Sequence, residues 1–210
     1  MSAGTLRRRL LLAGAAGSLA AGSALLWHHA TGGGKTFAPP AEDVCVVNPA
    51  RVTAPHAFDP ASGLGIHDAR PIPADARCPV CGMYPARFPR WAAQIIFTDG
   101  AAHFFDSPVD LFMFLDDPAR FGSARAPTDA AAIYVADFRS GAWLPARQAV
   151  FVRDSQTRGP MRGPDLPAFA DAAAAQAFIA EQGGQSLSFA QIDAGVVSGL
   201  RDANHARHMH

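Results

Sequence analysis

Lysine is almost missing from this 210-residue chain. Lys35 is the only one, and arginine supplies the rest of 18 basic residues, which 18 acidic residues balance. The formal net charge is +0 and no long basic run exists, which excludes a nucleic-acid binder that relies on phosphate contacts. Three cysteines are too few for a disulfide-built scaffold. No nucleophile elbow, phosphate loop or HExxH pattern occurs, so nothing in the sequence asks for catalysis and the chain is read as a non-enzyme. Aromatics are not scarce: 14 Phe and 3 Trp, with abundant Ala, Val, Ile and Leu, can build a substantial core.

The low charge content of 17% is concentrated unevenly. Arg7-Arg8-Arg9 precedes an uncharged apolar run from Leu10 to Trp27. A basic start before such a run reads as an export signal or membrane anchor over residues 1–30, of twin-arginine character. His28-His29 interrupt any small-residue cleavage site, and no cysteine follows directly for lipid attachment. This predicts a periplasmic protein tethered to the inner membrane, in an oxidising compartment.

Residues 31–77 hold Gly32-Gly33-Gly34 and prolines at 39, 40, 49, 55, 60, 71 and 73 without periodicity. They are expected to form a tether or an irregular wrapping arm. The folded domain is predicted over 78–195, as α+β. Trp91 to Thr98 and Ala101 to Phe105 read as strands joined by the Asp99-Gly100 turn. Ser107 and Pro108 then start a nearly all-apolar helix over Val109 to Leu115. Ala132 to Phe138 reads as a third strand. Gln148 to Arg153, Leu166 to Ala170, a helix capped by Asp171 and ended by Gly183-Gly184, and Gln185 to Phe189 repeat that order. Two ββαβ units follow from this internal repeat. Residues 196–210 are expected to be a flexible His/Met tail.

The dense chemistry lies in Cys78-Pro79-Val80-Cys81-Gly82-Met83. Two thiols and a thioether are soft donors, best suited to Cu(I). Gly82 lets the chain turn so that Met83 faces the same point as Cys81. Three other readings stay open: half of a zinc site completed by Cys45 and a histidine, a redox dithiol, and a structural disulfide. Haem attachment is excluded, because Gly82 stands where histidine is required. Met161, in the loop Gly159-Pro160-Met161-Arg162-Gly163, and His103, near the hairpin, are further ligand candidates. Met113 reads as core, His67 as a weaker candidate, and the tail residues His205, His208, Met209 and His210 as a loose copper-capturing cluster.

These residues, in order, resemble the NosL family. The resemblance rests on Cys78 to Met83, Trp91 to Phe97, Asp99-Gly100, Phe105 to Pro108, and Val135 to Phe138. It continues through Trp143, Ala149 to Val152, Pro160-Met161, Ala168 to Asp171, Phe178 and Gly183-Gly184. It implies a compact domain of two ββαβ units and a copper-binding accessory protein. Such a protein delivers Cu(I) in the periplasm for assembly of the copper–sulfur centre of nitrous oxide reductase. It makes Cys81 and Met83 the leading ligands, with Cys78 and Met161 behind them. The implied partners are nitrous oxide reductase or another periplasmic cuproprotein, and a membrane copper exporter. The chain departs from the family pattern at Arg162, where glycine is usual, and in lacking a lipid-bearing cysteine. The competing function is a periplasmic thiol–disulfide oxidoreductase or a disulfide-bearing interaction module.

Overall fold

The computed structural model describes residues 53–208, with side chains through residue 203. All of them belong to the compact unit Cys45–His210. The expected anchor over 1–30, Cys45, Met209 and His210 lie outside the described residues. Among the described residues no helix is long and apolar enough to cross a membrane.

The chain runs β1 (Ala93–Phe97), β2 (Ala102–Phe105), α1 (Pro108–Asp116), β3 (Ala130–Ala136) and β4 (Trp143–Pro145). It continues through β5 (Val150–Arg153), β6 (Ala168–Phe169), α2 (Ala172–Gln182), β7 (Gln185–Ser188) and α3 (Ala194–His208). One antiparallel sheet has the order β2-β1-β3-β4, the other β6-β5-β7. Each half is strand, strand, helix, strand, with its first strand in the middle of its sheet. The mixed helix-and-sheet class and the repeat are therefore as the sequence predicts. Strand β4 was not predicted: it is three residues long and ends in Pro145, too short to show a period.

Strand β1 is buried along its whole length because both its faces are covered. Ile95 and Phe97 join the main core with Phe105, Leu111 and Phe114, while Ile96 packs with Ala102, Phe104 and Ala76. The second face is covered by the proline-rich arm, which wraps the sheet from residue 53 rather than hanging free. His56 exchanges both backbone hydrogen bonds with Ala102, each 2.8 Å. Buried Gln94 stands in for a strand neighbour: its Oε1 accepts from the Arg70 N–H and its Nε2 donates to the Arg70 carbonyl, both 3.1 Å. The Asp99-Gly100 turn needs its glycine twice over. Gly100 has φ +78, and a Cβ there would stand 2.6 Å from Ile66 Cγ1 of the arm.

Asp137, just after β3, joins the two units. Phe138 N–H donates to the Ala168 carbonyl at 2.8 Å, and Phe138 then packs on Phe169 and Phe178 of the second unit. Asp137 Oδ1 accepts from the Arg139 and Ser140 N–H groups and the Ser140 hydroxyl, and Oδ2 accepts from the Ala170 N–H. Burial pushes this carboxyl upward, but the bonds from Ser140, Ala170 and Arg139 outweigh it and hold the pKa below the ordinary value.

Where a flexible tail was expected over 196–210, the described backbone is helical over Ala194–His208. Asp193 Oδ1 accepts the Val196 N–H at 2.9 Å and starts α3, whose Val197 and Leu200 are buried in the main core. Two apolar residues at i, i+3 suffice here because α1 offers a surface to receive them.

Two measurements test these joints. Leu200→Ala should lower stability by about 2–4 kcal/mol in urea unfolding, whereas Leu64→Ala, at an exposed site, should stay within about 0.5 kcal/mol. Equal, small effects would return the segment to a loose tail. Asp137→Asn turns an amide N–H toward either Ala170 or Ser140, and should cost about 1–3 kcal/mol at pH 7. A carboxylate with a depressed folded pKa contributes stability above its unfolded pKa of about 4, and loses it as pH falls through the lower folded value. The variant should therefore show a shallower acid limb than the parent.

Candidate metal centre

The Cys78–Met83 segment folds into a closed loop just before β1. Cys78 N–H donates to the Met83 carbonyl and Gly82 N–H to the Cys78 carbonyl, both at 2.9 Å. Gly82 has φ +76 with open space where a Cβ would stand, so left-handed backbone rather than crowding selects glycine there. Cys78 is fully buried and Cys81 partly so. The loop thus offers one thiol inside and one at its mouth.

Helix α1 presents its N-terminal end to this loop. Ser107 Oγ caps it by accepting the Asp110 N–H at 3.3 Å. With Ser107 as cap, Asp106 is left free to point elsewhere. Cys81 Sγ donates to Asp106 Oδ1 at 3.0 Å and Cys78 Sγ to Asp110 Oδ2 at 3.2 Å. One donor atom from each of Cys78, Cys81, Asp106 and Asp110 lies within 4.8 Å of all the others, the arrangement of a metal site. Asp106 is completely buried, and its Oδ2 has no hydrogen-bond partner among the described residues. An orphaned buried carboxylate oxygen is costly unless something else engages it.

A third acid closes the far side. Buried Asp165, ahead of β6, accepts the Val109 N–H at 3.3 Å and the Leu166 N–H at 2.8 Å through Oδ1. The Met161 loop rests on it: a Cβ on Gly159 would meet Asp165 Oδ2 at 2.1 Å.

The structure brings Cys78 and Cys81 together and sets Met83 at the loop exit, half-buried. Met161 is 38% exposed, on the loop beside Asp165. His103 is not in the cluster. It is buried on β2, edge-on to Phe97 and Phe114, with ring centroids 5.6 and 5.2 Å away. Burial first, then the charges of Arg125 and His56, lower its pKa to about 4, so it is a neutral core histidine. Asp106, Asp110 and Asp165 were not predicted as site residues. The sequence explains Asp110 as a helix-dipole partner, and it carries no signal that these carboxylates are buried beside thiols.

The model of the NosL family matches residues 69–197. This chain belongs to the NosL family. A crystal structure of the copper chaperone NosL from Shewanella denitrificans is 26% identical with a TM-score of 0.52, covering 61% of this chain and 98% of that one. The solution structure of apo-NosL from Achromobacter cycloclastes is 30% identical with a TM-score of 0.39, covering 50% and 87%. No curated protein matches the chain.

In this NosL protein the electrostatics hold protons in the cluster. Burial first, then Asp106, raises Asp110 to about 8. Burial likewise raises Asp165 to about 7, against the pull of its N–H donors. For Cys81 the bonded Cys78 thiol pulls downward, but burial and the Asp110 and Asp106 carboxylates prevail and lift it to about 12. Burial pushes Cys78 well up too. Redox-active dithiols need the opposite, a lowered thiol pKa. At pH 8 both thiols should stay protonated. On a Cys45→Ser background, iodoacetamide should alkylate them about a hundredfold more slowly than free cysteine. The rate should climb as pH rises toward 12, and Asp106→Asn should speed it at pH 8. Alkylation as fast as free cysteine would favour the oxidoreductase reading.

Proposed function

We propose that this chain is a copper carrier that takes up Cu(I) on Cys78 and Cys81 and passes it to a second protein. The observation that carries the reading is the convergence of two thiols in one closed loop, one buried and one at the mouth. Soft thiolates select Cu(I). Met83, leaving the same loop, adds a neutral thioether that strengthens binding without closing the site. The Shewanella relative is itself a copper chaperone. We read the chain as a carrier and not as an enzyme.

Uptake requires each thiol to lose its proton. Asp106 Oδ1 and Asp110 Oδ2 already accept the two S–H bonds. Asp106 is placed to receive the Cys81 proton or to pass it to water, whereas Asp110, itself protonated at neutral pH, can only relay the Cys78 proton onward. Release then proceeds by ligand exchange at Cys81, the thiol a partner can reach. Delivery in the periplasm is supported by the Arg7-Arg8-Arg9 start and the apolar run behind it, which also supplies a tether to the inner membrane. Nitrous oxide reductase, with its copper–sulfur centre, is the client that family membership favours. Another periplasmic cuproprotein and a membrane copper exporter are the other exchange partners.

The Cys₂Asp₂ donor set favours a second reading. Two thiolates with two carboxylates also suit tetrahedral Zn(II). An anaerobic titration of the reduced full-length chain against a chromogenic Cu(I) chelator separates the two. Stoichiometric Cu(I) binding should weaken about a hundredfold in Cys81→Ser and about tenfold in Met83→Ala and Asp106→Asn. Tighter retention of Zn(II) than of Cu(I) in a parallel competition would overturn the copper reading.

A further inference from the structure

Exposed arginines gather beside the cysteine loop. From Arg77 to Arg90 the chain carries three arginines and no acidic residue. Two of them meet on one ring. The Arg77 guanidinium carbon lies 3.6 Å from the Tyr84 ring centroid, and that of Arg87 lies 4.9 Å from the same point. Arg77 is further held by the loop itself, donating Nη1 to the Gly82 carbonyl at 3.0 Å and Nη2 to the Tyr84 hydroxyl.

Neither arginine has a counterion among the described residues. Among the described residues the ion pairs are Arg125–Asp99, Arg139–Glu181, Arg153–Asp154 and Arg201–Asp202. Both Arg77 and Arg87 are exposed. Each is attracted to the face of Tyr84, but the two cations repel one another there. A carboxylate arriving at this ring relieves that repulsion and gains the free donors of Arg87 in bidentate geometry.

We propose that this arginine–tyrosine rim is the docking surface for a carboxylate-rich face of the protein that exchanges copper with the loop. The proposal rests on the copper-carrier reading. The rim borders the mouth where Cys81 is reached, and Arg77 is bonded to the loop carbonyl of Gly82. A partner seated there stands next to the exchangeable thiol. An anionic lipid surface would need no such proximity to Cys81, which favours a protein partner.

The test uses the full-length chain and a fluorescein-labelled oligoglutamate as probe, read by anisotropy. Arg87→Glu leaves the Arg77–Gly82 bond in place, so it changes charge without opening the loop. Arg158→Glu, at another exposed arginine without an ion pair, is the control for net charge. The parent should bind the probe and lose it with added salt. Arg87→Glu should weaken binding about tenfold or more, and Arg158→Glu much less. Cu(I) affinity should be the same in all three. Equal losses in the two variants would show a general charge effect and overturn the proposal. So would an Arg87→Glu defect in binding to phosphatidylglycerol vesicles with oligoglutamate binding intact. A parent that binds oligoglutamate but no Cu(I) refutes the carrier reading and leaves the rim as an acidic-protein site of other purpose.

Discussion

Two sulfur-to-carboxylate hydrogen bonds, Cys78 to Asp110 and Cys81 to Asp106, fasten the cysteine loop to the start of α1. They bridge 32 and 25 positions of chain, and both lie in or at the edge of the core. Their cost is the burial of groups that would repel if all were ionised. The structure meets that cost by protonation. Asp110 and Asp165 are shifted to about 8 and about 7, and Cys81 to about 12. Burial leads the rise of both acids, and at Cys81 burial and the two carboxylates together outweigh the downward pull of the bonded Cys78 thiol. Taking one acid out of the cluster therefore changes the proton affinity of the rest.

The repeat explains how one half came to hold this cluster. Both units place Phe and Asp just before a helix, Phe105-Asp106 and Phe169 with Asp171. In the second unit Asp171 is the helix cap, its Oδ1 accepting the Ala174 N–H at 2.8 Å. In the first unit Ser107 takes that role and Asp106 stands one position earlier. A shift of one residue turns a capping carboxylate into one aimed at the thiols. The second unit has no cysteine loop before its first strand. It serves instead as a support, sending Asp165 against the Val109 N–H and receiving Phe138 into its aromatic cluster.

The β-branched and aromatic runs of β1 and β2, the Asp99-Gly100 turn, the capped helices and the Cys-x-x-Cys-Gly-Met loop were legible because each is a local pattern. The glycines were legible for the same reason, as Gly82 and Gly100 both take positive φ. The acids were not. An Asp in a first helical turn has an ordinary explanation in the helix dipole, and Asp165 lies 55 residues beyond Asp110 in a loop. Their burial is a product of tertiary packing. His103 shows the converse. A histidine near a metal motif invites a ligand role, but the strand register, with His103 opposite Ile95, sends it among phenylalanines. Helix α3 was hidden by Gly195 and Gly199 and by its polar end, which outweigh Val197 and Leu200 in any local reading.

The charge arrangement around the loop is layered. Acids lie underneath, buried, and hold protons on the thiols. Arginines lie outside, exposed, with Tyr84 between two of them. A cation entering the cluster would, on the carrier reading, be drawn by the carboxylates once protons leave, while an approaching partner would meet the arginines first. On the carrier reading, the inner layer sets how firmly the metal is held and the outer layer sets which protein comes near enough to take it. Cys81 spans the two, bonded inward to Asp106 and partly open outward. A change at Asp106 should therefore act on retention, and a change at Arg87 on encounter. Arg77 is the exception, because its bond to the Gly82 carbonyl makes it part of both layers.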